Sequence, residues 1–98
     1  MRIIAKSTLR KFWEKNPDAE QPLKAWHDEA KKAEWNNFQD IKKQFRSASI
    51  VGNDRIVFNI KGNDYRLIVL ILLFRKGKIF IRFVGTHKEY DKVNAKNI

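Results

Sequence analysis

The sequence predicts an α+β fold, with helices first and a small antiparallel sheet after them. Apolar residues recur at helical spacing as far as Phe45 and then alternate with period two from Ile56. Two glycine-bearing turns, Lys61-Gly62-Asn63-Asp64 and Arg75-Lys76-Gly77-Lys78, divide the later apolar runs. Residues 1–98 are read as one domain, a length that holds one core and no more.

Met1 to Ala5 is a short apolar start suited to an edge strand. Ser7 is placed to cap a helix with Leu9, Phe12 and Trp13 on one face, and Asn16-Pro17 ends it because the residue before proline avoids helical geometry. Asp18 with Gln21 reads as a capping box for a second helix, whose buried stripe is Leu23, Trp26, Ala30 and Ala33. A shorter helix from Asn37 turns Phe38, Ile41 and Phe45 inward. Trp13, Trp26 and Trp35 are read as packing residues and His27 as ordinary surface.

Strand texture begins at Ser47. Ile56, Phe58 and Ile60 alternate with Val57 and Asn59. Tyr65 to Phe74 is apolar on both faces, as a central strand requires, and Ile79 to Val84 returns antiparallel. Two-residue loops at Gly62-Asn63 and Lys76-Gly77 pair Ile60 with Tyr65, Asn59 with Arg66, Leu70 with Phe83 and Arg66 with His87. That register sets Asn59, Arg66 and His87 in one polar row at one end of the sheet and puts Arg82 on the opposite face.

The apolar run LIVLILLFRKGKIFIRF closes abruptly in VGTHKEYDKV. A strand greasy enough for a sheet interior that ends in His87, Lys88, Glu89, Tyr90 and Asp91 has a core at one end and a site at the other. Lys61, Asn63 and Lys88 are candidate phosphate contacts, and Tyr90 and Asp91 fall close enough to fold over the same edge.

Twenty-one Lys+Arg against eleven Asp+Glu give a formal charge of +10, which draws polyanions and above all nucleic acid. There is no cysteine, so thiolate metal sites and disulfides are excluded. The N-terminus has no signal-peptide pattern and no apolar run is long enough to span a bilayer, so a cytoplasmic protein with no membrane partner is expected. Arginine grips phosphate, histidine moves protons near neutral pH, and tyrosine stacks on bases. Together they suit RNA cleavage by attack of a 2′-hydroxyl on the adjacent phosphate, with Arg66, His87 and Tyr90 as catalytic candidates. Two histidines and no tight acidic cluster supply a metal-dependent route poorly, and no cofactor is expected.

The stretches RIVFNIKGNDYRLIVLI and IFIRFVGTHKEYDKV, with WNNFQDIKKQFRSASIV before them, resemble the HigB family of type II toxins, a branch of the RelE-like superfamily. The resemblance implies a RelE-like fold, N-terminal helices on one face of the sheet, and a ribosome-dependent, metal-independent mRNA endonuclease. It also implies mRNA and the ribosome as partners, with a HigA-type helix-turn-helix antitoxin through which alone the toxin meets operator DNA. Tyr65-Arg66-Leu67 matches the element whose arginine contacts the scissile phosphate, and Val84-Gly85-Thr86-His87 falls where the family places a basic catalytic residue. Arg66 is then the transition-state cation, His87 the acid or base, and Tyr90 the orienting or stacking ring. Asn59, Lys61, Asn63, Lys88 and Asp91 would bind RNA. The alternative is a basic RNA- or ribosome-binding module without cleavage, acting only in a repressor complex.

Overall fold

A computed structural model describes residues 1–98. Five strands, β1 (Arg2–Ile4), β2 (Ser49–Gly52), β3 (Arg55–Ile60), β4 (Tyr65–Leu70) and β5 (Lys78–Thr86), form one sheet in the order β1-β5-β4-β3-β2. Helices α1 (Lys6–Lys15), α2 (Glu20–Lys32) and α3 (Phe38–Gln44) precede β2, and a four-residue α4 (His87–Tyr90) follows β5. The expected α+β architecture is present. Strands β2 to β5 are antiparallel, while the edge strand β1 pairs parallel to β5 and makes the sheet mixed.

The core lies between the three N-terminal helices and one face of the sheet. Leu9, Leu23, Trp26, Ala30 and Ile41 meet Ile56, Phe58, Ile60, Leu67, Val69, Ile79 and Ile81, all buried. Phe58 is its centre. Its ring lies 5.3 Å from Trp26, 6.4 Å from Trp35 and 5.1 Å from Phe45 by ring centroids. Packing of this kind, more than intrinsic propensity, is what holds short helices in place. The N-terminal ammonium of Met1 donates to the carbonyls of Ala30, Lys31 and Ala33, satisfying the open end of α2 beside β1.

Several local expectations are corrected. Ser7 lies inside α1, and the residue before the helix is Ala5, in a left-handed conformation (φ 72°) where the chain turns out of β1. Asp18 caps nothing. Pro17–Ala19 form a 3₁₀ turn, α2 starts at Glu20, and the Asp18 carboxylate is turned to the sheet. Ala33 is the C-cap of α2, half-buried and packed against the core at the end of the stripe. Asn37 does cap α3, its side chain accepting the Asp40 N–H at 3.0 Å.

The second hairpin departs most. β4 stops at Leu70, and Phe74–Lys76 form a 3₁₀ turn before β5, so the connection is far longer than two residues. The register then slips by one more residue between Ile68 and Val69, where Arg82 has no partner on β4. Leu70 therefore pairs with Phe80 and not Phe83, and Arg66 with Gly85 and not His87. The bulge also redirects Arg82. Its Nε donates to the Ile98 carbonyl at 3.2 Å, the oxygen that Arg55, on the same face as Arg66, holds at 2.8 and 3.2 Å.

Candidate active site at the end of the central strands

The site occupies the end of the sheet where β3 leaves, β4 enters and β5 runs into α4. Asn59 pairs with Arg66, as the first hairpin predicts, because Gly62 tolerates its left-handed conformation (φ 65°) in the tight turn. The second left-handed residue of that turn is Lys61 (φ 52°) and not Asn63. Asn59 Nδ2 donates to Asn63 Oδ1 at 3.3 Å. Arg66 Nη1 donates to the Asn63 carbonyl at 2.9 Å and the Tyr65 carbonyl at 3.3 Å. The guanidinium is thus tied down through one nitrogen, and its other two make no hydrogen bond to the protein.

Opposite Arg66 stands Gly85. A Cβ there would come within 2.5 Å of the Phe83 ring and 3.2 Å of the Glu89 Cβ. Glycine is required for closeness, since its backbone angles are ordinary. Phe83 pairs with Ile68 and so lies on the Arg66 face, with its ring reaching across Gly85.

His87 is lifted out of the strand. Thr86 Oγ1 accepts the Glu89 N–H at 3.2 Å while Glu89 Oε1 accepts the Thr86 N–H at 2.8 Å, a capping box that converts the strand end into a helical turn. The polar row of three strands is therefore two residues of sheet, Asn59 and Arg66, completed by a helical turn. That turn brings Tyr90 to the arginine, with the guanidinium carbon 5.8 Å from its ring centroid. His87 Nδ1 lies 3.4 Å from Asp91 Oδ2, with both side chains more than half exposed, and its backbone N–H donates to the Asp64 carbonyl at 3.2 Å. Lys88 is exposed on the same turn.

Lys61 is not free. Its ammonium lies 2.7 Å from Asp18 Oδ2 and 3.4 Å from Asp64 Oδ2. The hydrogen bond to Asp18 raises its pKa, and the bonds from Lys61 and Tyr65 lower that of Asp18. Tyr65, buried beside Phe12, donates its hydroxyl to Asp18 Oδ1, and this bond raises the pKa of the phenol.

Between α1 and the end of β5 an open depression of about 450 Å³ is lined by Lys11, Lys15, Phe12, Val84, Thr86 and Glu89 among others, on the helix-covered side of the sheet opposite Arg66. No group of three or more His, Asp or Glu side chains converges to hold a metal ion. The arrangement offers a guanidinium for phosphate charge, an imidazole with a carboxylate partner for proton transfer, and a ring for a base. Sequence reasoning missed Gly85, Phe83, Asp18 and the Thr86/Glu89 box. Only the last carried a local signal, the T-x-x-E spacing itself.

Comparison with known proteins identifies relatives of the whole chain. Residues 19–93 match the profile of the HigB toxin family, described as the RelE-like toxic component of a toxin-antitoxin system. The mRNA interferase toxin HigB of Escherichia coli K12 is 31% identical over 97 residues, covering 97% of this chain and 92% of that protein. The mRNA interferase HigB proteins of Escherichia coli O157:H7 and Shigella flexneri match with the same identity and coverage.

Proposed function

The chain belongs to the HigB family of RelE-like toxins, and on that premise we propose that it is a toxin that cleaves mRNA on the translating ribosome without a metal ion. The observation that carries this reading is the meeting of Arg66 with the α4 turn, where Tyr90 lies against the guanidinium and His87 is paired with Asp91. The formal charge of +10 suits a polyanionic substrate.

In the proposed step a base takes the proton of a ribose 2′-hydroxyl, and the 2′-oxygen attacks the adjacent phosphorus. The bond to the 5′-oxygen breaks, and an acid returns a proton to that leaving group. Arg66 neutralises the charge gathering on the phosphoryl oxygens, and His87 is the proton-transfer group. Tyr90 holds Arg66 and offers its face to a base. Asn59, Asn63 and Lys88 flank the RNA, Lys61 does so from within its ion pair, and Asp91 orients His87. No cluster of carboxylates or imidazoles competes for a metal role. The site is shallow, with His87 54% exposed, so alignment of the RNA must come from outside the toxin. A ribosome-held transcript supplies it.

Family membership entails an antitoxin partner. We place this partner in the HigA class, with a helix-turn-helix through which the pair contacts operator DNA, and we place the toxin in the cytoplasm as a single domain. No helix is long and apolar enough to cross a membrane. The test is induction of wild type, Arg66→Ala and His87→Ala with transcript 5′ ends mapped. Wild type should arrest growth and create new ends within coding regions, and both variants should stay folded and do neither. Arrest without new ends would favour a non-cleaving ribosome-binding module. Full toxicity in both variants would remove Arg66 and His87 from the mechanism.

A further inference from the structure

We propose that Asp18 is a positioning residue for the active site, acting through the 61–64 turn on both Arg66 and His87. The inference rests on the site read above. One turn of four residues serves both side chains: the Asn63 carbonyl accepts from Arg66 Nη1 at 2.9 Å, and the Asp64 carbonyl accepts the His87 backbone N–H at 3.2 Å. Where that turn sits therefore decides how the guanidinium and the imidazole stand toward a common phosphate.

The turn holds itself weakly. Within it there is one backbone bond, Asp64 N–H to the Lys61 carbonyl at 3.2 Å, and one exposed ion pair, Lys61 with Asp64 at 3.4 Å; all four residues are exposed, and Lys61 occupies a left-handed conformation that disfavours a side chain. A conformation of this kind persists where surrounding structure enforces it. Asp18 does so from the Pro17–Ala19 turn. Its Oδ2 takes the Lys61 ammonium at 2.7 Å and its Oδ1 takes the Tyr65 hydroxyl, so one carboxylate grips the first residue of the turn and the strand residue that follows it.

Both ends of this clamp are anchored. Asp18 sits on the Pro17–Ala19 turn, where proline fixes the backbone and Ala19 is fully buried. Tyr65 is 7% exposed and packs edge-to-face on Phe12 of α1, with centroids 5.2 Å apart, and it immediately precedes Arg66. The Asp18 side chain is 52% exposed, so its ion pair contributes little to global stability. What the clamp supplies is geometry, for which a displacement of about 1 Å can cost about 100-fold in rate. The same contact neutralises Lys61, which makes this lysine a strut of the turn more than a free phosphate cation.

The test uses Asp18→Asn and Tyr65→Phe in the full chain, with cleavage of a defined mRNA followed in a reconstituted translation system. Asp18→Asn is expected to lower kcat by about 10- to 100-fold with KM changed less than about threefold. Tyr65→Phe, which keeps the ring and loses one end of the clamp, should give a smaller loss of the same kind. Thermal midpoints should stay close to wild type, while the NMR signals of the Arg66 Nε–H and the His87 amide move and those of core amides do not. Unchanged kcat in Asp18→Asn, or a rate loss that follows the thermal midpoint with the Arg66 and His87 signals unmoved, overturns the inference. Arg66→Ala serves as the control. If it cleaves at the wild-type rate, the site reading fails; if it is silent while Asp18→Asn cleaves at the wild-type rate, only the role of Asp18 falls.

Discussion

Arg66 and Tyr90 meet across the strand-to-helix junction, the guanidinium carbon 5.8 Å from the ring centroid. The contact joins a residue of the central strand to a helical turn that has no buried side chain of its own. It makes the ring, and not the hydroxyl, the part of Tyr90 that the structure uses. Tyr90→Phe should therefore cleave within about threefold of wild type. Tyr90→Ala should lose a cation–π contact of about 0.5–1 kcal/mol together with the stacking face, and fall further. Parallel kcat and KM measurements on the two variants check this. Equal losses would assign the function to the phenol proton.

His87 and Asp91 test differently because both are solvated. An exposed pair contributes at most about 1 kcal/mol, so Asp91→Asn should reduce cleavage by less than about tenfold. His87→Gln removes the proposed proton-transfer group and should cost about 100-fold or more. A single-turnover assay at fixed pH separates the two outcomes. Similar losses from both would mean that Asp91 touches the reacting atoms.

Gly85 makes a stability prediction at the same place. Alanine there would drive its methyl to 2.5 Å from the Phe83 ring, so Gly85→Ala should destabilise by about 1–3 kcal/mol, read as a lower urea midpoint. Shortening the obstacle with Phe83→Leu in the same chain should recover part of that loss. A double variant no better than the sum of the singles would place the cost elsewhere, for instance at the 3.2 Å approach to Glu89.

The corrections in this region show what a sequence can and cannot carry. The pairing of Asn59 with Arg66 was legible because a glycine-bearing four-residue turn sets a hairpin register by short-range geometry alone. The pairing opposite Arg66 was not. It depends on where β4 stops and on an unpaired Arg82, and an apolar run continuing to Phe74 marks neither. The error of two residues kept Arg66 on its expected face yet moved His87 off the strand, where the T-x-x-E box takes over. Asp18 illustrates the other limit. Its local pattern suits a helix cap, but two partners 43 and 47 residues away claim both carboxylate oxygens.

Phe58 carries the largest expected effect on stability. It is 1% exposed and touches three aromatic rings on separate segments, so truncation leaves a cavity that no single neighbour can fill. Phe58→Ala should cost about 3–5 kcal/mol, and Phe58→Leu distinctly less. Denaturant titration of both variants decides it. A loss under about 1 kcal/mol in the alanine variant would mean that the Trp26, Trp35 and Phe45 cluster closes on itself.

The second histidine sets a pH dependence unconnected with catalysis. His27 has a side chain only 12% exposed, and its pKa is lowered, first by burial and then by the charges of Lys6 and Lys31, with Asp28 opposing. Arg10 and Lys24 line the same depression and add no negative charge. The unfolded chain takes a proton on this ring near pH 6.5, while the folded chain does not until the pH is lower. Between those two values the unfolded state binds more protons, so stability falls as the pH falls. Well above pH 6.5 neither state is protonated and the effect vanishes. Denaturation of wild type and His27→Gln at pH 7.5, 6.5 and 5.5 isolates the contribution, since every carboxylate is common to both. The difference should begin to move against the wild type at pH 6.5, where the unfolded ring is half protonated, and move further at 5.5. A difference that stays flat to pH 5.5 would mean that the ring is protonated in the folded protein despite two neighbouring ammonium groups.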